Sequence, residues 1–572
     1  MAPSWIFRQE TLLAALPPRS SLQTMISFYA GALSLWVVAV LQVIARHIKW
    51  KRDMQRRNPQ AMPYPPGPKP LPLIGNVFDM PRSQSSLTFI KWRDMYGPLT
   101  WVVTPGRQFL IVNDYEMIKE LFERRGNIYI NRPRLIMAGE LIGLDKGTPL
   151  TQYGPVWRQH RRMLSHALLA PIVRRDYGPM MTKKTITFLK TLLDRPDDFI
   201  LESKKLMAEI ITEIAYGAHR DDEDGGHDYI QMQIEMGIIT FKTVQGYWVD
   251  FFPWMKHIPP WFPFAQWKRD ALGWSKVYNI TRDYLFESVK QKFLTTNGEG
   301  MQPSFVLTML KELYSQVDDK GDEDLTNNER AINHAAFSFF RAGAETTESV
   351  VRNFFLAMTL FPEAQARAQA EVDTFIGQDR FPSIEDRGID KMPYLEATVL
   401  ESLRWNPPAS TGVPHLPVVD DFFQGYFIPK GTTVFQNSWQ ISRDARYYAN
   451  PTAFQPERFL KTDQKKPRCV HNPDVLSPWD WAFGFGRRIC PGRDLAMQGA
   501  WLSVAFVLWA FEIKPKLGRT MAGGYKATDE ERFNFRVSSK TLPFECDFTP
   551  RSDKVRQMIN QAVEEGKKAG GP

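Results

Sequence analysis

Cysteine is scarce in this 572-residue chain: there are three, Cys469, Cys490 and Cys546. Three is too few, and odd in number, for a disulfide framework, so the bulk of the protein is expected in a reducing compartment. Any cysteine with a function should then act as a thiolate. The chain has no CxxC and no HExxH, which removes the usual zinc arrangements. It has no nicotinamide or flavin fingerprint, no P-loop ending and no repeat period. A broad basic surface is also missing. The formal charge is +9, but Arg46, Lys49, Lys51, Arg52, Arg56 and Arg57 against Asp53 supply five of the nine, so the excess is local and argues against nucleic acid as a partner.

The segment upstream of that cluster, Ser20 to Ala45, carries no charge for 26 residues. As a helix it would span roughly 39 Å, more than the ~30 Å of a bilayer's hydrocarbon core. The basic cluster outweighs Arg8 and Arg19 on the other side, so the positive-inside rule puts everything downstream in the cytosol. The expected organisation is an N-terminal segment (1–19), a single transmembrane anchor (20–45), a basic and proline-rich hinge (46–76), one large domain (77–550) and a polar C-terminal tail (551–572). The proline-rich run NPQAMPYPPGPKPLPLIGN, from Asn58 to Asn76, reads as a semi-rigid spacer. The acidic stretches Asp221 to Gly226 and Asp318 to Asp324 lack the spacing of a calcium loop and read as solvated loops.

Much of the middle reads as helix. Thr326-Asn327-Asn328-Glu329 is a capping-box pattern, and no proline follows until Pro362, which predicts one buried helix of about 35 residues. Its centre, Ala342-Gly343-Ala344-Glu345-Thr346-Thr347, sets a glycine, a carboxylate and two hydroxyls among packing residues. A helical glycine costs about 1 kcal/mol and an unsatisfied buried carboxylate costs more, so a compensating role is expected. Strand signals concentrate between Val413 and Val434 and are too few for a large sheet. The expected fold class is mainly α with small β-sheets.

Cys490 lies in FGFGRRICPGRDLA, among glycines and arginines rather than apolar neighbours. A lone thiolate suits haem iron, which takes four ligands from the porphyrin and needs one from the protein. The spacing Phe483-x-x-Gly486-x-Arg488-x-Cys490-x-Gly492 resembles the haem-binding signature of the cytochrome P450 superfamily at every defined position. Further segments resemble the family in the expected order: the proline-rich run, Trp157-Arg158-Gln159-His160-Arg161 as WxxxR, the Ala342 to Thr347 segment, Glu401-Ser402-Leu403-Arg404 as ExxR, and Pro456-Glu457-Arg458-Phe459.

That resemblance, from about Pro63 to about Phe548, implies the cytochrome P450 fold and haem b held by the Cys490 thiolate. Phe483 would shield the sulfur, Gly486 and Gly492 would shape the loop, and Trp157, Arg161, His415 and Arg488 would hold the propionates. Gly343 would make room for dioxygen, and Glu345 with Thr346 would deliver protons. Glu401, Arg404 and Arg458 would form a scaffold behind the loop. Phe337, Phe340, Ala342, Thr411, Val413 and Ser538 are the implied substrate contacts. The aromatic segment Gly246 to Trp267 either roofs the access channel and dips into the bilayer or packs the core.

The family implies a monooxygenase that oxidises a mainly apolar small molecule, with electrons from NADPH through NADPH-cytochrome P450 reductase and cytochrome b5 as an additional donor. The implied location is the endoplasmic reticulum membrane, single-pass, with the catalytic domain cytosolic. The sequence is most similar in style to membrane-bound fungal, basidiomycete-like members that tailor secondary metabolites such as terpenoids, polyketides or indoles. Two alternatives keep the haem without oxygen activation, an isomerase or dehydratase and a membrane-tethered haem carrier or sensor. Thr346 speaks against the first, because such relatives usually lose it, and Glu345 with Thr346 against the second.

Overall fold

A computed structural model describes residues 37, 41, 44–45, 48–49, 51–72, 74–81, 84–217, 229–244, 246–316, 322–388, 390–462, 469–516, 532–535 and 539–569. The longer helices among the described residues are α1 Ser85–Tyr96, α2 Pro155–Ala167, α3 Gly178–Asp194, α4 Phe199–Tyr216, α5 Tyr229–Thr243, α6 Gln266–Thr296, α7 Phe305–Tyr314, α8 Asp322–Leu360, α9 Pro362–Phe375, α10 Pro393–Trp405, α11 Arg493–Ala510 and α12 Asp553–Ala569. The strands are short. β1 Leu99–Thr104 and β2 Arg107–Val112 form an antiparallel hairpin, joined in parallel by β5 Thr433–Gln436. β3 Asp421–Phe423 and β4 Tyr426–Ile428 form a second hairpin. Gln424 (φ 51°) and Gly425 (φ 79°) turn it, the positive φ pair that matches strand twist. The remaining pairs are β6 Leu460–Thr462 with β7 Cys469–His471, β8 Phe511–Pro515 with β11 Cys546–Pro550, and β9 Phe533–Phe535 with β10 Ser539–Thr541.

The long helix α8 runs through the main core, packed against α4, α10, α11 and α2. It has 39 residues, or about 58 Å at 1.5 Å per residue. It starts at Asp322, four residues before the expected cap, so the second half of the acidic stretch 318–324 is its first turn rather than a loop. Glu329 does not close a capping box; it accepts from Lys290 Nζ and Tyr314 Oη, both at 2.7 Å. Pro362, which lacks the N–H to continue the ladder, ends α8 and opens α9. α11 is buried from Leu495 to Ala510 apart from Ala496, as its nearly unbroken apolar sequence requires.

Two expected linkers are packed against the domain. The proline-rich segment is not a free spacer. Trp101 N–H donates to Pro66 O at 2.8 Å, Phe427 N–H to Pro63 O at 2.9 Å, and Tyr64 stacks on Trp101 at 5.3 Å. Residues 51–57 of the basic cluster are helical, Met54 is buried, and Arg57 pairs with Asp420. The C-terminal tail is likewise a helix, α12. Val555, Met558 and Ile559 recur at helical spacing; Val555 and Ile559 are fully buried in the main core, with α3 as the chief neighbour. Arg551 and Lys554 pin its start to Asp373 and Asp379.

The expected anchor 20–45 lies outside the described residues except for Val37, Leu41, Ile44 and Ala45, which are helical. Among the described residues no helix is long and apolar enough to cross a membrane. The acidic stretch 221–226 and Ser538 also lie outside the described residues.

Candidate active site

The loop before α11 is built by its glycines. Gly484 (φ 78°) and Gly486 (φ 54°) adopt left-handed backbone, and a Cβ at Gly486 would lie 2.3 Å from Phe122 O. The chain folds back so that Cys490 N–H donates to Phe483 O at 2.8 Å. Phe483 packs edge-on against Trp479 at 5.5 Å. Gly492 caps α11, and a Cβ there would stand 3.9 Å from the Cys490 sulfur. Burial pushes the Cys490 thiol up, while the Gly492 N–H and the charges of Arg161 and Arg493 oppose the rise. These donors favour the thiolate once a cation faces the sulfur.

The sulfur opens into a cavity of about 320 Å³. One wall is the loop, with Phe483, Gly484, Cys490, Pro491 and Gly492; the facing wall is α8, with Ser338, Phe339, Ala342, Gly343, Thr346, Thr347 and Val350. Gly343 has a packing reason as well, since a Cβ there would lie 2.6 Å from Ile211 Cδ1 of α4. The hydroxyls of Thr346 and Thr347 each donate to the carbonyl four residues back, Ala342 and Gly343, at 2.9 Å. Glu345 is not on the cavity wall. Its carboxylate faces Lys204 at 3.5 Å and Lys540 at 3.4 Å, against helix α5, where a Cβ at Gly237 would lie 2.6 Å from Oε1.

Three guanidinium groups and a histidine surround one side of the cavity. Arg488 lies over the Trp157 ring at 4.4 Å and donates to Ile130 O (2.9 Å) and Thr151 O (3.0 Å), leaving its buried Nη1 without a partner. Arg161 donates to Ile489 O. Arg132 donates to Pro149 O at 3.0 Å, Val413 O at 2.8 Å and Pro414 O at 2.9 Å. His415 donates from Nδ1 to Tyr129 O at 2.7 Å and stacks on Phe122 at 4.0 Å; burial first, then Arg132, holds it well below the usual imidazole range.

Burial, then the charge of Arg488, pushes Arg132 down to about 9. Burial, then Arg161, pushes Arg488 down to about 10. No carboxylate lines the cavity among the described residues. Cations gathered in an apolar cavity without an anion are costly, and a ligand that brings carboxylates and a metal cation would satisfy both the guanidinium groups and the thiol. Haem b fits that set: one sulfur, an apolar slot, and at its edge three guanidinium groups without a carboxylate, one of them with an orphaned donor.

Behind the loop, the Glu401 carboxylate on α10 accepts from Arg404 Nε (2.7 Å) and Nη2 (2.8 Å), Arg458 Nε (3.2 Å) and Gln455 N–H (2.8 Å). Arg404 spends its remaining donors on Ser442, Pro451 and Ala453 carbonyls. Glu401 and Arg404 are 0 % exposed, so this is a charge network closed to solvent.

With this geometry the family match is decisive: the family model described as Cytochrome P450 matches residues 65–522. The chain belongs to the cytochrome P450 family. It is similar to cytochrome P450 monooxygenase COX2 of Coprinopsis cinerea (36% identical over 504 residues, 88% of this chain and 92% of that one). It is also similar to cytochrome P450 monooxygenase 208 of Postia placenta (35%, 91% of this chain and 96% of that one) and tryptamine 4-monooxygenase of Psilocybe cyanescens (32%, 92% and 99%). Such relatives make this cytochrome P450 an oxidoreductase of the monooxygenase kind.

Of the expected substrate contacts, Ala342 and Val413 line the cavity and three others do not. Phe337 and Phe340 are fully buried in the core, Phe337 edge-on to Tyr278 at 5.0 Å and Phe340 edge-on to Tyr216 at 5.9 Å. The helical period explains the error. The cavity stripe of α8 is 338/339, 342/343, 346/347 and 350, and residues 337 and 340 fall off it. Thr411 is buried off the wall, because Gly412 (φ 61°) turns the chain and presents Val413 instead.

Sequence reasoning missed Arg132, Ile211 and Gln436, which line the cavity from the loop before α2, from α4 and from β5. Each sits in a segment without a motif. The aromatic segment Gly246 to Trp267 packs against the domain in part and is exposed in part. Val249 and Asp250 are buried, with Asp250 accepting from Ile136 N–H at 2.6 Å and Met137 N–H at 3.1 Å. Trp261 (78 %) and Phe264 (95 %) are exposed.

Proposed function

We propose that this cytochrome P450 binds haem b through Cys490 and oxidises a neutral, mainly apolar small molecule, with electrons reaching it from NADPH through a separate reductase. The observation that carries the reading is the Cys490 sulfur at one wall of an apolar cavity, with Gly343 and Thr346 on the opposite wall and, at its edge, three guanidinium groups without a carboxylate among the lining residues, Arg488 Nη1 having no partner at all. When bound, the haem supplies dioxygen binding and reductive O–O cleavage, which thiolate ligation favours. Trp157, Arg132, Arg161 and Arg488 would hold its carboxylates, and His415, whose Nδ1 already donates to Tyr129 O, would join them when a carboxylate at its Nε2 brings a proton onto that nitrogen, while Glu401, Arg404 and Arg458 keep the supporting loop rigid. Thr346 offers hydroxyl lone pairs to the reacting space, and Gly343 keeps that space open.

The lining argues about substrate charge. The wall carries Ile211, Phe339, Val350, Leu403, Pro408 and Val413 with no Asp or Glu among the described residues, so an ammonium group would find no counter-ion. The relative named for tryptamine therefore shares the family but is not a guide to this substrate. A secondary metabolite of terpenoid or polyketide character suits the lining better. Residues 20–45 serve as a single membrane anchor in the endoplasmic reticulum with the domain in the cytosol, and the exposed Trp254, Trp261 and Phe264 rest on the same bilayer.

The test uses the full-length chain in membranes with an NADPH-cytochrome P450 reductase. Neutral terpenoids and polyketides should raise NADPH consumption above the substrate-free rate, and protonated arylalkylamines should not. Haem-loaded protein that takes no electrons from NADPH with any compound would overturn the reading.

A further inference from the structure

At one end of the cavity, two wall residues lead to a pair of histidines that the site leaves unused. Thr148 N–H donates to Ser338 Oγ at 2.9 Å, and Ser338 donates in turn to His334 O at 2.6 Å. Gly147 permits this approach, since a Cβ there would lie 2.8 Å from Ser338 Oγ. Behind Thr148, its Oγ1 lies 3.4 Å from His160 Nδ1 of α2. His160 is 0 % exposed, and its other ring nitrogen, Nε2, has no protein partner. His334 is half-buried, and its Nδ1 is a buried nitrogen that also lacks a protein partner.

Burial holds His160 down to about 4. Burial, then the charges of Arg282, His160 and Lys146, against Asp283, holds His334 down to about 3; the two helices that carry the rings, α2 and α8, pack against each other. Both are therefore neutral, each with one N–H and one lone pair. An orphaned buried ring nitrogen is costly, and a buried water commonly removes that cost by bridging two such atoms. Neutral imidazoles also pass protons from one nitrogen to the other. Glu345, by contrast, is turned from the cavity toward Lys204 and Lys540.

We propose that a water held between His160 Nε2 and His334 Nδ1 completes a proton path from the surface at His334 to the cavity at Thr148 Oγ1, about three helical turns along α8 from Glu345. The inference rests on the monooxygenase reading, in which two protons accompany the two electrons delivered to each dioxygen. A proton arriving at the outer nitrogen of His334 releases the Nδ1 proton to the water. The water gives a proton to His160 Nε2, His160 Nδ1 gives one to Thr148 Oγ1, and the Thr148 hydroxyl gives its own to the cavity. No group keeps a charge; the two imidazoles exchange tautomers.

Two measurements test the path. A high-resolution crystal structure of the haem-loaded protein should show an ordered water within hydrogen-bond distance of both ring nitrogens; an empty gap, or a protein group on either nitrogen, would overturn it. In the holoenzyme with reductase, Thr148→Val and His334→Leu should each raise the share of electrons lost as peroxide several-fold and alter the solvent deuterium isotope effect on NADPH oxidation. A change in folding alone would not move that isotope effect. Wild-type peroxide yield and isotope effect in both variants would overturn the path even if the water were present. A wild-type holoenzyme that accepts no electrons would instead sink the monooxygenase reading, and the water would then decide the path by itself.

Discussion

Replacing Glu401 with glutamine removes one negative charge from a solvent-closed network and little else. The carboxylate accepts four N–H groups, three of them from Arg404 and Arg458, at 2.7 to 3.2 Å. The amide keeps one acceptor and turns an NH2 toward guanidinium donors. Three of the four donors meet at Oε1, so with the amide oxygen in that place one charge-assisted bond, Arg404 Nε to Oε2, is lost outright, at about 1.5–3 kcal/mol. Leaving two buried guanidinium groups without their counter-charge brings the loss toward the ~3–5 kcal/mol typical of breaking a buried ion pair by removing one partner. Arg404 has carbonyl partners to fall back on, which sets the expectation near the lower end, about 3 kcal/mol. For a domain this large each kcal/mol moves the thermal midpoint by only about 1 °C. Urea unfolding followed by far-UV circular dichroism is therefore the better assay, with haem absorbance followed in parallel. Glu401→Gln should unfold at clearly lower urea and lose haem first, because the network supports the Cys490 loop. A variant with the wild-type midpoint would refute the claim that Glu401 neutralises two buried arginines.

Thr346→Ala should fold and bind haem normally, since the hydroxyl bonds only to Ala342 O, but should leak electrons as peroxide, measured against NADPH consumed. Gly486→Ala places an L-residue at φ 54° with its Cβ 2.3 Å from Phe122 O, and should abolish haem loading while leaving the far-UV spectrum nearly unchanged. Acid should weaken the fold through His160, which burial holds at about 4 against about 6.5 in an unfolded chain. The unfolded state then binds the extra proton as the pH falls from about 6.5 toward 4, so this contribution is complete above that window and lost through it, by about 2 kcal/mol at pH 5. Urea midpoints at pH 7 and pH 5 should converge in His160→Phe relative to wild type.

How much was legible followed from whether a feature is set by local sequence. The Cys490 loop was, because Gly484, Gly486 and Gly492 dictate its turns within ten residues. The body of α8 was, because an unbroken apolar helix ending at Pro362 has few alternatives. Its start was not: Glu329 is held by Lys290 and Tyr314, partners a capping pattern does not reveal. Phe337 and Phe340 lie off the cavity stripe because a family resemblance brings a helix to the cavity and only its rotation decides which side looks in. Arg132 was invisible because its role comes from carbonyls of residues far along the chain, Val413 and Pro414. The apolar stripe of α12 was readable by periodicity, yet its high charge made it look like a tail.

The central claim is that the Cys490 sulfur is the protein's ligand to haem iron. The most direct measurement is the carbon-monoxide difference spectrum of the reduced, haem-loaded full-length chain and of Cys490→Ala. The wild type should give the long-wavelength band of a thiolate ligand, and the variant should lose it even where haem is still retained. A thiolate-type band that survives in Cys490→Ala, or a nitrogen-ligand band in the wild type, would contradict the account.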